Sequence, residues 1–345
     1  MSILDDLAGV LPLDDEGVDE YHRTWDDLRR RITVLNERAW ESRLNWPIVE
    51  RWLKNFDGKS GLSVEDEQIH ALYILAQFMY FGSREIRGLL RAIYIDLFFV
   101  PLVQSVRAKC AGSRDESLLR ANLITAVKRT RFLGVGTPSE SGVHLLYYFR
   151  QENELLKENF LDSAQILARD NTTSGFQRSL RYPDIERYIF VDDVCGSGET
   201  AVRYSKDFLE EVKSLKPDVE LYYFSIFSTA EGMKKVRDDS VFGQRCAAVY
   251  ELDSTYRCLS EESRYLKVVP NQIDPEKIRK LAFHYGGILA PGHAGGYEDS
   301  QMLLGFHHNT PDNTLPIIWM DGTNGSSIPW NAAFRRYPKI SGVAL

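Results

Sequence analysis

Long apolar runs are missing from this 345-residue sequence: its most hydrophobic stretch, residues 93–103, carries Asp96 and Pro101 and is too short to span a bilayer. The N-terminus reads MSILDDLAGVLPLDDEG, acidic early, without the basic start and long apolar core of a secretory leader. Cysteine is scarce. Cys110, Cys195, Cys246 and Cys258 are scattered without metal-like spacing, so reduced thiols in a cytoplasmic protein with no membrane association are expected. Basic excess is absent as well: 42 Lys and Arg against 49 Asp and Glu leave a net charge of −7, which argues against a surface coated for duplex DNA while leaving room for a local basic patch. No internal repeat or low-complexity tract occurs. With 43% hydrophobic and 26% charged residues, the composition is that of a folded globular protein, long enough for two domains or for one with large additions.

What is present falls into three zones. Residues 1–130 are dominated by helical periodicity. Ser63-Val-Glu-Asp66 reads as a capping box opening a helix through Ile69, Leu72, Leu75 and Phe78. Gly82-Ser83 breaks it, and a further helix from Arg84 runs until Pro101 halts or kinks it. Residues 131–269 alternate strands with helices: apolar strands at 132–136, 188–191, 219–227 and 247–252, and an amphipathic helix over 200–215 ended by Lys216-Pro217. That alternation predicts right-handed crossovers, a parallel α/β sheet and a ligand at the carboxyl ends of the strands. Residues 270–345 form a C-terminal extension richer in Gly, His, Asn and Pro.

The most informative stretch is YIFVDDVCGSGET, residues 188–200. An all-apolar start predicts a strand buried on both faces. In a regular strand Asp192 and Asp193 point to opposite faces, so both reach one ligand only where the strand ends and turns. Gly196 and Gly198 permit a turn and let backbone amides approach an anion, Ser197 and Thr200 add hydroxyls, and a helix opens near Thr200. Carboxylates suit ribose hydroxyls or a divalent cation, while the Gly-rich loop suits phosphate. A phosphorylated sugar accounts for both halves. A dinucleotide fingerprint is a rival reading, with Glu220 as its acid, but it would set the acid pair against a pyrophosphate. A P-loop fails for want of Gly-Lys-Ser/Thr, and a plain Gly-rich turn with a capping Asp remains open.

The run of apolar strand, two acids, Val, two residues and Ser-Gly-x-Thr resembles the phosphoribosyl pyrophosphate signature of type I phosphoribosyltransferases. The resemblance implies a parallel-sheet α/β core of that type, with an N-terminal α-helical region and a C-terminal loop-rich extension. It further implies Asp192 and Asp193 as the catalytic pair on the ribose hydroxyls and as direct or indirect Mg²⁺ partners. Gly196, Ser197, Gly198, Glu199 and Thr200 would cradle the 5′-phosphate, and Thr137, Pro138, Ser139, Ser141 and Gly142 would face the pyrophosphate. The polar stretch 168–182 would be the mobile loop. More narrowly, the segments FMYFGSREIR (residues 78–87) and HNTPDNTLPIIW (residues 308–319) resemble phosphoribosyltransferase-like proteins of bacterial conflict and phage-defence loci, including retron operons. That likeness implies a nucleotide or phosphoribosyl pyrophosphate ligand in a defence setting, with a homo-oligomer and a protein or RNA partner as candidates.

Several residues depart from the pattern or stand outside it. Gly196 occupies the position where purine-type members carry a base-contacting acid, which argues against 6-oxopurine salvage. The candidate pyrophosphate loop holds Glu140 and no Lys or Arg; Arg169, Arg178 and Arg181 could supply positive charge from the presumed mobile loop. Cys195 has no neighbouring His in sequence, so a nucleophilic thiol is not expected. His307, His308, Asn309, Asp312 and Asn313 read either as a hood over the ligand or as a hydrogen-bonded corner; His293 is weaker. Two function classes follow: an enzyme acting at C1 of a phosphorylated ribose, and a non-catalytic nucleotide sensor or partner-binding protein on the same fold.

Overall fold

Capping chemistry and buried stripes set the first elements. The Ser63 hydroxyl accepts the Asp66 amide at 3.1 Å and opens the helix Val64–Ala76, whose Ile69, Leu72 and Leu75 are buried. A computed structural model describes residues 19–136, 141–172, 175–321 and 328–337. The described strands are β1 (Met79–Phe81), β2 (Thr130–Gly134), β3 (Leu167–Thr172), β4 (Gly175–Leu180), β5 (Arg187–Cys195), β6 (Glu220–Thr229), β7 (Cys246–Leu252) and β8 (Leu304–Phe306).

The chain gathers into two units. One comprises the described residues up to Glu85 and those from Ser254 onward; the other is Ile86–Asp253. The zones 1–130, 131–269 and 270–345 are therefore dealt out between two units, the extension sharing a core with the first helices. That core stacks Phe78 on Phe334 with Trp40 edge-on to both, and sets Phe56 edge-on to Trp52, Tyr285 and Trp330. Met79–Phe81, expected to continue the preceding helix, is instead the strand β1, paired in parallel with β8. Local periodicity could not show this, because the partner lies more than two hundred residues along the chain.

The second unit is a parallel-sheet α/β core. Its four-stranded sheet has the order β2-β5-β6-β7, with each neighbouring pair parallel. Helices Ser141–Glu152, the run 199–215 and Ala230–Asp239 fall between successive strands of this sheet. On one face Tyr188, Phe190, Leu209, Val212, Tyr223 and Phe242 pack together. On β2, Phe132 meets the rings of Tyr94, Phe98, Phe149 and Phe160 at centroid distances of 5.1–6.0 Å.

Two expectations are corrected. The helix expected to halt or kink at Pro101 does not halt there: it runs on from Ser83 to Lys109, 27 residues in all, with a π segment, Ile93–Phe99, just before the proline. A wider π turn accommodates a ring and a missing N–H that a regular α-turn would not. By length and composition this helix is apolar enough to cross a membrane, although the stripe Ile86, Leu90, Tyr94, Phe98, Leu102 and Val106 is buried in the protein. The polar stretch 168–182, read as a loop, is largely the antiparallel hairpin β3–β4.

Candidate functional site

The apolar start of β5 behaves as its composition requires: Tyr188, Ile189, Phe190 and Val191 are fully buried between neighbours β2 and β6. The strand does not end at the acids, however. It continues to Cys195, with Asp192 in register with Ser225 and Val194 with Phe227. Asp192 is half-buried, and both its oxygens are engaged: Oδ2 accepts the Tyr223 hydroxyl at 2.9 Å and Oδ1 the Asp193 amide at 2.9 Å. Asp193 is only 6% exposed, and its Oδ1 accepts the Val194 amide at 2.8 Å. Burial, and after it the adjacent Asp193 carboxylate, push the Asp192 carboxyl well above its ordinary value, while the Tyr223 hydroxyl opposes the shift. A carboxyl shifted upward by burial and by an adjacent acid is a profile common at functional sites.

Beyond Cys195 the chain turns through Gly196, Ser197 and Gly198 into the helical run that starts at Glu199. Gly198 caps that helix at φ 77°, a left-handed conformation that favours glycine. The Glu199 amide donates to the Ser197 hydroxyl at 3.4 Å, Glu199 pairs with Lys235 at 3.1 Å, and Thr200 is exposed. The loop leans on the corner that follows β6. The Thr229 hydroxyl donates to the Gly196 carbonyl at 2.6 Å and accepts the Gly232 amide at 2.8 Å, capping the helix Ala230–Asp239. Backbone meets backbone there: a side-chain carbon at Gly232 would lie 2.0 Å from the Gly196 oxygen, and one at Gly198 would lie 2.6 Å from the Gly232 oxygen.

The other predicted residues fare differently. The Val135 amide donates to the Val191 carbonyl at 3.3 Å, so the chain leaves β2 beside the acid pair. Thr137, Pro138 and Ser139, with Glu140, lie outside the described residues; Ser141 and Gly142 are described as backbone only, opening the helix Ser141–Glu152. Arg178 is ion-paired with Glu211, and Arg169 and Arg181 are exposed. Cys195 is buried, and burial pushes its thiol up to about 11.

The candidate hood residues belong to the other unit. Asn309 Oδ1 accepts the Tyr337 amide at 3.1 Å, Asp312 pairs with the buried Arg336 at 2.9 Å, and Asn313 donates to Ser300 at 3.0 Å. His308 stacks on Phe306, and the His307 amide donates to the Phe81 carbonyl at 2.9 Å. Sequence reading missed Tyr223, Thr229 and Gly232. The one local signal was Thr229 as an N-cap, since the ties to Asp192 and Gly196 depend on inter-strand register.

Mg²⁺ would have to fit a sparse donor set. Among the described residues no group of three or more His, Cys, Asp or Glu side chains could hold a metal ion. Asp192 and Asp193 nevertheless match the usual protein share of an Mg²⁺ site, one or two carboxylates with the remaining ligands from phosphates and water.

Among solved structures, Helicobacter pylori xanthine-guanine-hypoxanthine phosphoribosyltransferase is similar at 12% identity over 39% of this chain and 82% of that one, with a TM-score of 0.21. No curated protein matches the chain. The PRTase-CE family model matches residues 49–336, most of the sequence and parts of both units. The chain belongs to the PRTase-CE family.

Proposed function

We propose that the protein binds a 5-phosphoribosyl group, as phosphoribosyl pyrophosphate or a nucleotide, and carries out transfer or N-glycosidic chemistry at its C1. One observation carries the reading: an acid pair near the end of a parallel strand runs directly into a tightly packed glycine loop and a helix. In this reading the loop amides and the Ser197 and Thr200 hydroxyls hold the 5′-phosphate. β5 ends only two residues past Asp193, and in this reading the turn there brings Asp192 and Asp193 to the ribose hydroxyls, where they orient the sugar and stabilise the positive charge that develops on the ring as the bond at C1 breaks. Mg²⁺, when bound with the ligand, would offset the charge of a departing pyrophosphate.

Calorimetric titration with phosphoribosyl pyrophosphate and Mg²⁺ tests this on the wild type and on Asp192→Asn/Asp193→Asn. Binding that the double substitution abolishes supports the site; a folded wild type that binds nothing sinks the reading. A second reading, nucleotide sensing without turnover, is favoured by one feature: residues 137–142 contain Glu140 and no Lys or Arg to receive a pyrophosphate. Binding without consumption of ligand across a panel of bases would select it. A role in phage defence rests on the resemblance of residues 78–87 and 308–319. Phage plating on cells carrying wild type or Asp192→Asn checks it, equal plating being the contrary result.

A further inference from the structure

Nothing in the glycine loop itself holds the Gly196–Ser197 peptide in place. The tie comes from β6, 33 residues further along: the Thr229 hydroxyl grips the Gly196 carbonyl at 2.6 Å. Every peptide among the described residues is trans, so the carbonyl of Gly196 and the amide N–H of Ser197 lie in one plane and point in opposite directions. Fixing the first therefore aims the second. We propose that Thr229 is a positioning residue for the phosphate loop, holding the Gly196 carbonyl against the β6 corner so that the Ser197 amide faces the 5′-phosphate. The inference rests on the phosphoribosyl reading above.

Three further observations give the device its rigidity. Thr229 is itself locked, because its oxygen accepts the Gly232 amide at 2.8 Å as the cap of the next helix. Gly232 leaves no slack, since even one added carbon would collide with the Gly196 oxygen at 2.0 Å. Gly198 presses on the Gly232 carbonyl from the other end of the loop, where an added carbon would come within 2.6 Å. Peptide reorientation at Gly196 would otherwise be easy, because glycine tolerates either sign of φ. The hydroxyl replaces that freedom with one orientation, as preorganised anion sites require.

The test compares wild type, Thr229→Val and Thr229→Ser by calorimetry with two probes, ribose 5-phosphate and inorganic pyrophosphate, in Mg²⁺. Valine keeps the shape and loses the hydroxyl; about tenfold weaker ribose 5-phosphate binding is expected, with pyrophosphate affinity unchanged and serine restoring the loss. Equal weakening toward both probes, or no rescue by serine, would reduce Thr229 to a fold-stabilising residue and overturn the proposal. A folded valine variant that binds ribose 5-phosphate as tightly as wild type overturns it too, leaving the phosphoribosyl reading intact. Wild type that binds neither ribose 5-phosphate nor phosphoribosyl pyrophosphate ends both. If valine prevents folding, the amide resonance of Ser197 in wild type decides. It should move on addition of ribose 5-phosphate, and a stationary resonance contradicts the assignment.

Discussion

Each unit buries carboxylates, and it treats them in opposite ways. In the unit that includes Glu67, this fully buried side chain receives the Gly58 amide at 2.7 Å, the Ser60 amide at 2.9 Å and the Tyr285 hydroxyl at 2.6 Å. Three donors converge on one acid, which ties the turn before the helix Val64–Ala76 to the helix Pro275–Leu289. In the α/β unit, Asp192 has two donors but lies directly against Asp193, and its carboxyl is shifted upward by burial first and by that neighbour second. A satisfied buried acid makes a knot. Two adjacent carboxylates that repel each other cost stability, as functional sites commonly do.

The largest effect should come from cutting the knot. Glu67→Leu leaves the Gly58 and Ser60 amides without their acceptor and the Tyr285 hydroxyl with Asp57 as its remaining one, and should cost about 3 kcal/mol, a Tm lower by roughly 5–10 °C. A change under about 2 °C by calorimetry would erase the contrast between the units. Next comes the acid pair. Asp192→Asn should weaken phosphoribosyl pyrophosphate binding by about 100-fold, in line with a lost charged contact. The same substitution removes the repulsion and should raise Tm. If binding and stability fall together, Asp192 is a structural acid like Glu67.

Tyr223→Phe sharpens the comparison more gently, because it removes one of the two donors to Asp192 and keeps the ring in its aromatic cluster. About tenfold weaker binding with little change in Tm is expected. A Tm loss with unaltered affinity would contradict it.

The smallest effect is a pH dependence of opposite sign in the two units. His70 is buried, its Nδ1 lies 2.6 Å from the Asp66 carbonyl, and its Nε2 accepts the Asp274 amide at 2.9 Å, an arrangement that needs the neutral ring. Burial lowers its pKa, so its contribution is present above the ordinary value near about 6.5 and is lost as pH falls toward the depressed folded value. Asp192 acts the other way. Its folded pKa is raised, so its contribution is present below the unfolded value of about 3.9 and is lost as pH rises through the folded one. Melting curves from pH 7.5 to 5.5 should show a Tm decrease that His70→Gln reduces and Asp192→Asn enlarges; the reverse assignment would refute the pairing.

Much of the site was legible because its order is local. An apolar strand, two acids, two glycines with hydroxyls and a helix occupy residues 188–215, and each part declares itself within a few residues. The Ser63 cap and the strands at 188–191, 219–227 and 247–252 were readable for the same reason. The hairpin β3–β4 was not. Its polar composition resembles a loop, and only cross-strand pairing makes it a sheet. Strand β1 was hidden likewise, since Met79–Phe81 takes its form from Leu304–Phe306.

By itself, then, the sequence determined the α/β alternation and the position of the acid–glycine turn. Tertiary structure alone decided that β5 runs on through the acids, that Tyr223 engages Asp192, and that Thr229 and Gly232 clamp the loop. The physical reason is that hydrogen bonds across a parallel sheet join residues separated by a whole crossover. Their partners follow from register and packing, which no local pattern in the chain specifies.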